Sequence, residues 1–177
     1  MGTIRACCCL AAAAAFASAS VAFSQKTAFT RVGPVPPSIG AAKTIFVSNA
    51  GSDSGLFPEP FSGDQDRPYT QFYSALKATG AYVLADDPSQ ADLVLELRLT
   101  APYGPTNPDK VAGAADPLPM FRLVVYDRKT HYVLWACTQS VEGAVGQKYH
   151  DKTFDDALTG VLNQFLSVAG KPPAPAH

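Results

Sequence analysis

The sequence predicts an α+β fold: a two-layer sandwich in which a mainly antiparallel sheet of about five strands carries two helices on one face. Three observations predict it. Residues 91–100, ADLVLELRLT, alternate strictly, with Leu93, Leu95, Leu97 and Leu99 on one side and Glu96, Arg98 and Thr100 on the other. That period of two with one wet face belongs to a strand covered on one side only. Two segments, 66–80 and 153–170, instead repeat their apolar residues at helical spacing. The order strand, helix, four strands, helix then lets each helix bury one stripe against one sheet face.

Taken along the chain, KTIFVSN (43–49) is a short β-branched and aromatic run, the first strand. DRPYTQFYSALKATG (66–80) offers Asp66 as N-cap, Pro68 in the first turn and Gly80 just past the end, with Tyr69, Phe72, Tyr73 and Leu76 as its apolar stripe. AYVLAD (81–86) is the second strand, stopped by Pro88, and 91–100 is the third. FRLVVY and YVLWACTQSV complete the sheet around the turn Asp127-Arg128-Lys129-Thr130-His131. Trp135 is expected on the packed face with Val133 and Cys137. The last helix opens on Thr153 with Asp156 three residues on, a variant of the capping box, and closes at Gly170. Its stripe is Phe154, Leu158, Val161, Leu162, Phe165 and Val168; Gly160 inside it costs about 1 kcal/mol relative to alanine.

The ends read differently. Met1 to Arg5 is a short, singly positive start, Ala6 to Phe16 is apolar without a polar face, and small-x-small sites follow at Ala17-Ser18-Ala19 and Ala22-Phe23-Ser24. This is the grammar of a secretory signal peptide, residues 1–24, and its apolar run is too short to span a bilayer. Residues 25–42, with Pro34, Pro36 and Pro37, read as a Pro/Gly-rich leader; 43–169 as a single α+β domain; and 170–177, GKPPAPAH, as a disordered or extended tail. Cleavage removes Cys7, Cys8 and Cys9 and leaves Cys137 alone, so no intramolecular disulfide is open to the mature chain. Six residues before Cys7 are too few for the apolar run of a lipoprotein signal. Cys137 itself reads as a small buried hydrophobe rather than a reactive thiol.

Charge excludes two classes of partner. Fourteen basic and fifteen acidic residues are well mixed, and loss of Arg5 takes the net charge from −1 to −2. There is no basic stripe for nucleic acid and no polybasic or amphipathic basic segment for stable membrane association. The expected location is periplasmic or secreted.

Catalytic and metal patterns fare poorly. GSDSG (51–55) resembles a nucleophile elbow, but its centre is Asp53, not a serine. A hydrolase using Ser54 with His131 or His150 is the alternative reading, since triads assemble in space. Asp53, Asp64 and Asp66 lack the ordered spacing of a calcium loop, and no His-x-x-x-His, Cys-x-x-Cys or glycine-rich phosphate loop is present, so neither metal nor cofactor is expected. The charged turn 127–131 reads as a hairpin reversal, because aspartate starts turns by bonding its own backbone. Glu96 and Arg98 are expected to form an exposed ion pair.

Two long connections, 50–65 and 101–119, are of a length that is uncommon without a function. LFPEPF supplies Leu56, Phe57 and Phe61; the other loop supplies Tyr103, with Asp109 and Lys110 beside it. These six are the candidate binding residues, set against the alternative that the apolar ones tuck under and cover an end of the sheet. A small-ligand carrier would need an apolar cavity beneath the loops.

The strand order, with ADLVLEL and then RLVVYDRKTHYVLWACTQSV ahead of the last helix, resembles small bacterial envelope proteins of unknown function. It is also similar to the α+β module at the front of the curli-export lipoprotein and of the Tol-system propeller protein. The resemblance covers residues 43–169. It implies an envelope assembly, scaffolding or binding role without catalysis, with an envelope protein or surface polymer as partner. The chain departs from it by lacking a usable lipid-anchor cysteine and by its two long loops.

Overall fold

The computed structural model describes residues 34–106 and 115–175. The signal peptide, the first part of the leader, and Asp109 and Lys110 lie outside the described residues. Within them the chain forms α1 (Pro37–Ala41), β1 (Thr44–Ser52), α2 (Arg67–Ala78), β2 (Val83–Leu84), β3 (Leu93–Thr100), β4 (Tyr103–Thr106), β5 (Ala115–Pro117), β6 (Met120–Asp127), β7 (Val133–Ser140) and α3 (Gln147–Val168).

The fold is α+β, with an open five-stranded sheet in the order β2-β1-β3-β6-β7 and a separate two-stranded ribbon, β4-β5. All five expected strands enter the main sheet. Its pairing is mixed and mostly antiparallel: β1 runs parallel to both β2 and β3, whereas the longer ladders β3-β6 and β6-β7 are antiparallel. Connection type decides this. A helix between β1 and β2 returns the chain in the same direction, and the later connections reverse it.

The alternation of β3 is realised in full. Leu93, Leu95, Leu97 and Leu99 are each at most 2% exposed, and they meet Phe72, Leu76, Phe154, Val161, Leu162 and Phe165 in one core. Burying a leucine completely is worth about 1.5–3 kcal/mol, so this row and the helical stripes above it supply much of the stability. Ile39 of α1, fully buried, joins the same core. At the other end the tail is tied down: Ala174 N–H donates to Asn163 Oδ1 at 2.9 Å.

Helix ends show where local chemistry was read correctly and where it was not. Gly80 and Gly170 sit at φ +62° and +68°, beyond the ends of α2 and α3. At Gly170 the cap is double, with Lys171 N–H on Leu166 O and Gly170 N–H on Ser167 O. Asp66 occupies the N-cap of α2, but its carboxylate accepts from Asn49 Nδ2 at 2.8 Å and leaves the helix amides alone. α3 begins at Gln147, six residues before the expected capping box; Gly146 at φ +88° turns the chain, and Thr153 Oγ1 donates to His150 O inside the helix. No breaker stands between Gly146 and Thr153, so the helix extends through them. Gly160 faces Gln139, and a Cβ there would meet Gln139 Oε1 at 3.4 Å, an ordinary contact, while Gln139 accepts from Gln164 Nε2 at 2.8 Å.

In β7 the expected facing holds for Trp135 and Cys137, which pack against the core, and fails for Val133, which is 56% exposed. A register slip between Val125 and Tyr126 sets Val133 opposite Tyr126 and Trp135 opposite Val125, shifting Val133 out of their alternation. The Cys137 thiol is pushed up to about 12 by burial, so it stays protonated at neutral pH.

Candidate binding surface

The loop residues singled out by the sequence divide sharply. Leu56 and Phe61 are 3% and 1% exposed, Phe57 is half-buried, and Phe61 N–H donates to Leu56 O at 3.2 Å to close the loop on itself. Phe61 lies 5.2 Å from the Phe154 ring and Phe57 lies 6.1 Å from it. These side chains fill the end of the core, and two buried residues offer a partner no surface. Tyr103, 81% exposed at the start of the β4-β5 ribbon, stands apart from them.

What holds that loop down is a polar clamp. The Arg67 guanidinium lies 4.2 Å from the centre of the Phe154 ring and donates to Ser62 O, Asp151 Oδ1 and Asp155 Oδ1. Asp151 also accepts from Ser62 N–H at 2.9 Å. Burial works to raise the Asp151 pKa, but the bonds from Arg67 and Ser62 outweigh it and hold the carboxyl below its usual value. The other acids of that region are similarly engaged. Asp53 accepts from Ala101 N–H and from Arg98, so Arg98 pairs with Asp53 at 3.0 Å and not with Glu96. Asp64 accepts from Asp66 N–H, and Asp66 from Asn49, so the three do not converge on a cation site. Ser54 has no hydrogen bond to a histidine among the described residues, and His150 packs its ring on Phe61 instead.

The opposite face of the sheet carries a different surface. Strand pairing aligns Phe46, Val94, Tyr126 and Val133 in one row across β1, β3, β6 and β7. The next row is Ser48, Glu96, Val124 and Ala136. Neither row belongs to the core roofed by the helices, yet Val124 is 2% exposed and Phe46, Val94 and Tyr126 are half-buried.

A groove of about 510 Å³ opens on this face, floored by Val94 and Tyr126 with Glu96 beside them. One wall is Pro88-Ser89, on the 3₁₀ turn ahead of β3; the other is the charged turn 127–131. That turn is built as the sequence suggests: Asp127 accepts from Thr130 N–H at 2.7 Å and from its hydroxyl at 3.0 Å, while His131 N–H donates to Asp127 O. These bonds, chiefly that from Thr130 N–H, hold the Asp127 carboxyl below its usual value. His131 sits at φ +60°, where histidine is strained, and Arg128 Nε is tied to Ala91 O at 3.3 Å. The turn is therefore structural and also forms a wall of the groove. Glu96 and the side chains of Lys129 and His131 make no hydrogen bond or ion pair among the described residues. An apolar floor flanked by the carboxylates of Glu96 and Asp127 and by the cationic side chains of Arg128 and Lys129 can hold an extended amphipathic segment, and no serine–histidine hydrogen bond lies in it among the described residues. Sequence alternation had already put Glu96 on this face, but the meeting of Val94 with Tyr126 needs the β3-β6 register.

No family model matches the chain, and no curated protein matches it. Among solved structures the chain is similar to a DUF4136 family protein from Bacteroides thetaiotaomicron, at 16% identity over 76% of this chain and 92% of that one, with a TM-score of 0.49. It is also similar to a PelC dodecamer from Paraburkholderia phytofirmans, at 18% identity over 73% and 88%, TM-score 0.42. A DUF330 protein from Xanthomonas campestris follows at 14% over 73% and 85%, TM-score 0.44.

Proposed function

We propose that the protein is an exported, non-enzymatic binding domain of the bacterial cell envelope, and that it holds an envelope protein or surface polymer on the face of the sheet opposite the helices. The observation that carries this reading is the aligned row Phe46–Val94–Tyr126–Val133 with a groove opening over its centre, Val94 and Tyr126. Apolar residues in such a row cost solubility and contribute nothing to the core, a combination that marks a contact surface. Export rests on the signal-peptide grammar of residues 1–24. No helix among the described residues is long and apolar enough to cross a membrane.

A photo-crosslinking residue placed at Glu96, in cells expressing the chain, tests the surface; the same residue at exposed Ser167 on α3 is the control. A discrete adduct, or retention in the polymer fraction, is expected at position 96 and not at 167. No adduct at positions 96, 126 and 133 overturns the assignment of the surface. Mature chain beginning near Gln25 is expected in the periplasmic or culture fraction, and its retention in the cytoplasm removes the export half of the proposal.

A further inference from the structure

The groove over Val94 and Tyr126 has two ends of unlike charge. Strand register puts the turn 127–131 beyond one end of that pair and Glu96, opposite Val124, beyond the other, two residues along β3. The turn end is cationic: Arg128 and Lys129 line it against one carboxylate, Asp127, whose Oδ1 is taken by the Thr130 N–H and hydroxyl. The far end is a single carboxylate. Glu96 is half-buried, with Val94 on its own strand and Val124 across from it, and it makes no hydrogen bond or ion pair among the described residues. Arg98, two residues on, donates instead to Asp53 Oδ1 at 3.0 Å. Arg122, diagonal to Glu96, forms no ion pair among the described residues. Exposed Lys129 is satisfied by water, whereas a half-buried carboxylate on an apolar floor has lost part of its hydration and gained no counter-charge. Glu96 is the group that gains most from a partner.

We propose that the groove takes a polypeptide segment that sets a basic residue on Glu96, an apolar residue on Val94 and Tyr126, and an acidic residue against Arg128 and Lys129, with Glu96 as the residue that determines specificity; this rests on the groove face being the binding surface and names what it binds. Spacing supports this occupant. Val94 and Glu96 share a face of β3 about 6.6 Å apart, the separation of alternate side chains in an extended chain, so an apolar residue and a base two positions later fall on both. Charge selects it over a surface polymer. A polymer that repeats one charge meets repulsion at one end of the groove or the other, and a neutral polysaccharide leaves Glu96 without a counter-ion. A polypeptide offers acid, apolar group and base within one short run.

A photo-crosslinking residue at Val133, on the row of Val94 and Tyr126, tests this in cells while leaving Glu96 in place. The native groove is expected to give an adduct with a polypeptide. Glu96→Lys should lower its yield at least about tenfold, and Glu96→Asp by less than about threefold. Lys129→Glu, on the exposed turn, should lower the yield too, and it probes the cationic end whether or not Glu96→Lys folds. Once mass spectrometry has located the captured segment, exchange of its basic residue for glutamate should restore capture by the Glu96→Lys chain. A native adduct that both charge reversals leave unchanged overturns the proposal. So does an adduct on polysaccharide, or a charge exchange that restores nothing; each of these leaves the binding surface itself standing. No native adduct at positions 96, 126 and 133 removes the surface and its proposed occupant together.

Discussion

Replacing Arg67 with alanine tests how the long loop is fastened. Its side chain is 12% exposed and serves Asp151 (23% exposed), Asp155 (54% exposed), Ser62 O and the Phe154 ring at once. Breaking a fully buried ion pair from one side costs about 3–5 kcal/mol. Here the acids retain solvent, Asp155 especially, so the electrostatic loss is about 1–2 kcal/mol. The lost cation–π contact and packing bring the total to about 2–3 kcal/mol. For a domain of this size that is a fall in Tm of about 4–12 °C. Urea unfolding of residues 25–177 followed by circular dichroism gives the number directly. Lys152→Ala, which breaks an i,i+4 pair whose side chains are 68% and 63% exposed, is the matched control and should leave the urea midpoint unchanged. If Arg67→Ala costs no more than Lys152→Ala, the clamp is a surface ornament and the loop is held by its phenylalanines alone.

The remaining predictions concern the core and the carboxylates. Leu95→Ala should destabilise by about 2–5 kcal/mol while Glu96→Ala next door stays within about 0.5 kcal/mol, and equal losses in denaturant midpoint would mean the facing of β3 is misassigned. Phe61→Ala, removing a ring 5.2 Å from Phe154, should cost about 3–5 kcal/mol; a stable variant would return that residue to the surface. Acid should weaken the fold. Asp53, Asp92, Asp127 and Asp151 have folded pKa values below their unfolded ones, so their stabilisation is complete above the unfolded value and lost as pH falls through the folded one. The Tm is therefore expected to be flat from pH 7 to about 5 and to decline below about 4. Asp92→Asn, which loses the carboxylate that accepts from Lys43 and Thr44 N–H, should show a shallower decline, and an unchanged slope would refute the assignment.

How far the sequence reaches depends on whether a feature is local. The leucines of β3, the stripes of α2 and α3, and the glycines beyond their ends are local patterns, and each lies where periodicity puts it. Strand direction is not local: nothing in KTIFVSN says that it runs parallel to both neighbours, because that follows from the crossover and from which edge β3 joins. Val133 alternates correctly with Trp135 in sequence and is turned out by a slip that depends on pairing with β6. Leu56 and Phe61 in a proline-stiffened loop satisfy both a contact patch and a plug. Phe154 and Arg67, brought from elsewhere in the chain, decide for the plug.

The same division supports the proposal that the groove face serves recognition. Stability is concentrated on the leucine side, where ten phenylalanine and leucine side chains from β3 and the helices are at most 2% exposed, and a change there disturbs the whole fold. Positions such as Glu96, Lys129 and Ala136 lie outside that core, and substitutions at them are near-neutral to folding. A surface that tolerates change while keeping an apolar row across four strands is free to match a partner without cost to the sheet beneath. Val124, 2% exposed, is the one buried member of the neighbouring row on that face, between half-buried Glu96 and exposed Ala136. A groove on paired strands is accordingly a firmer platform than the ribbon at Tyr103, whose two strands pair through a shifted register.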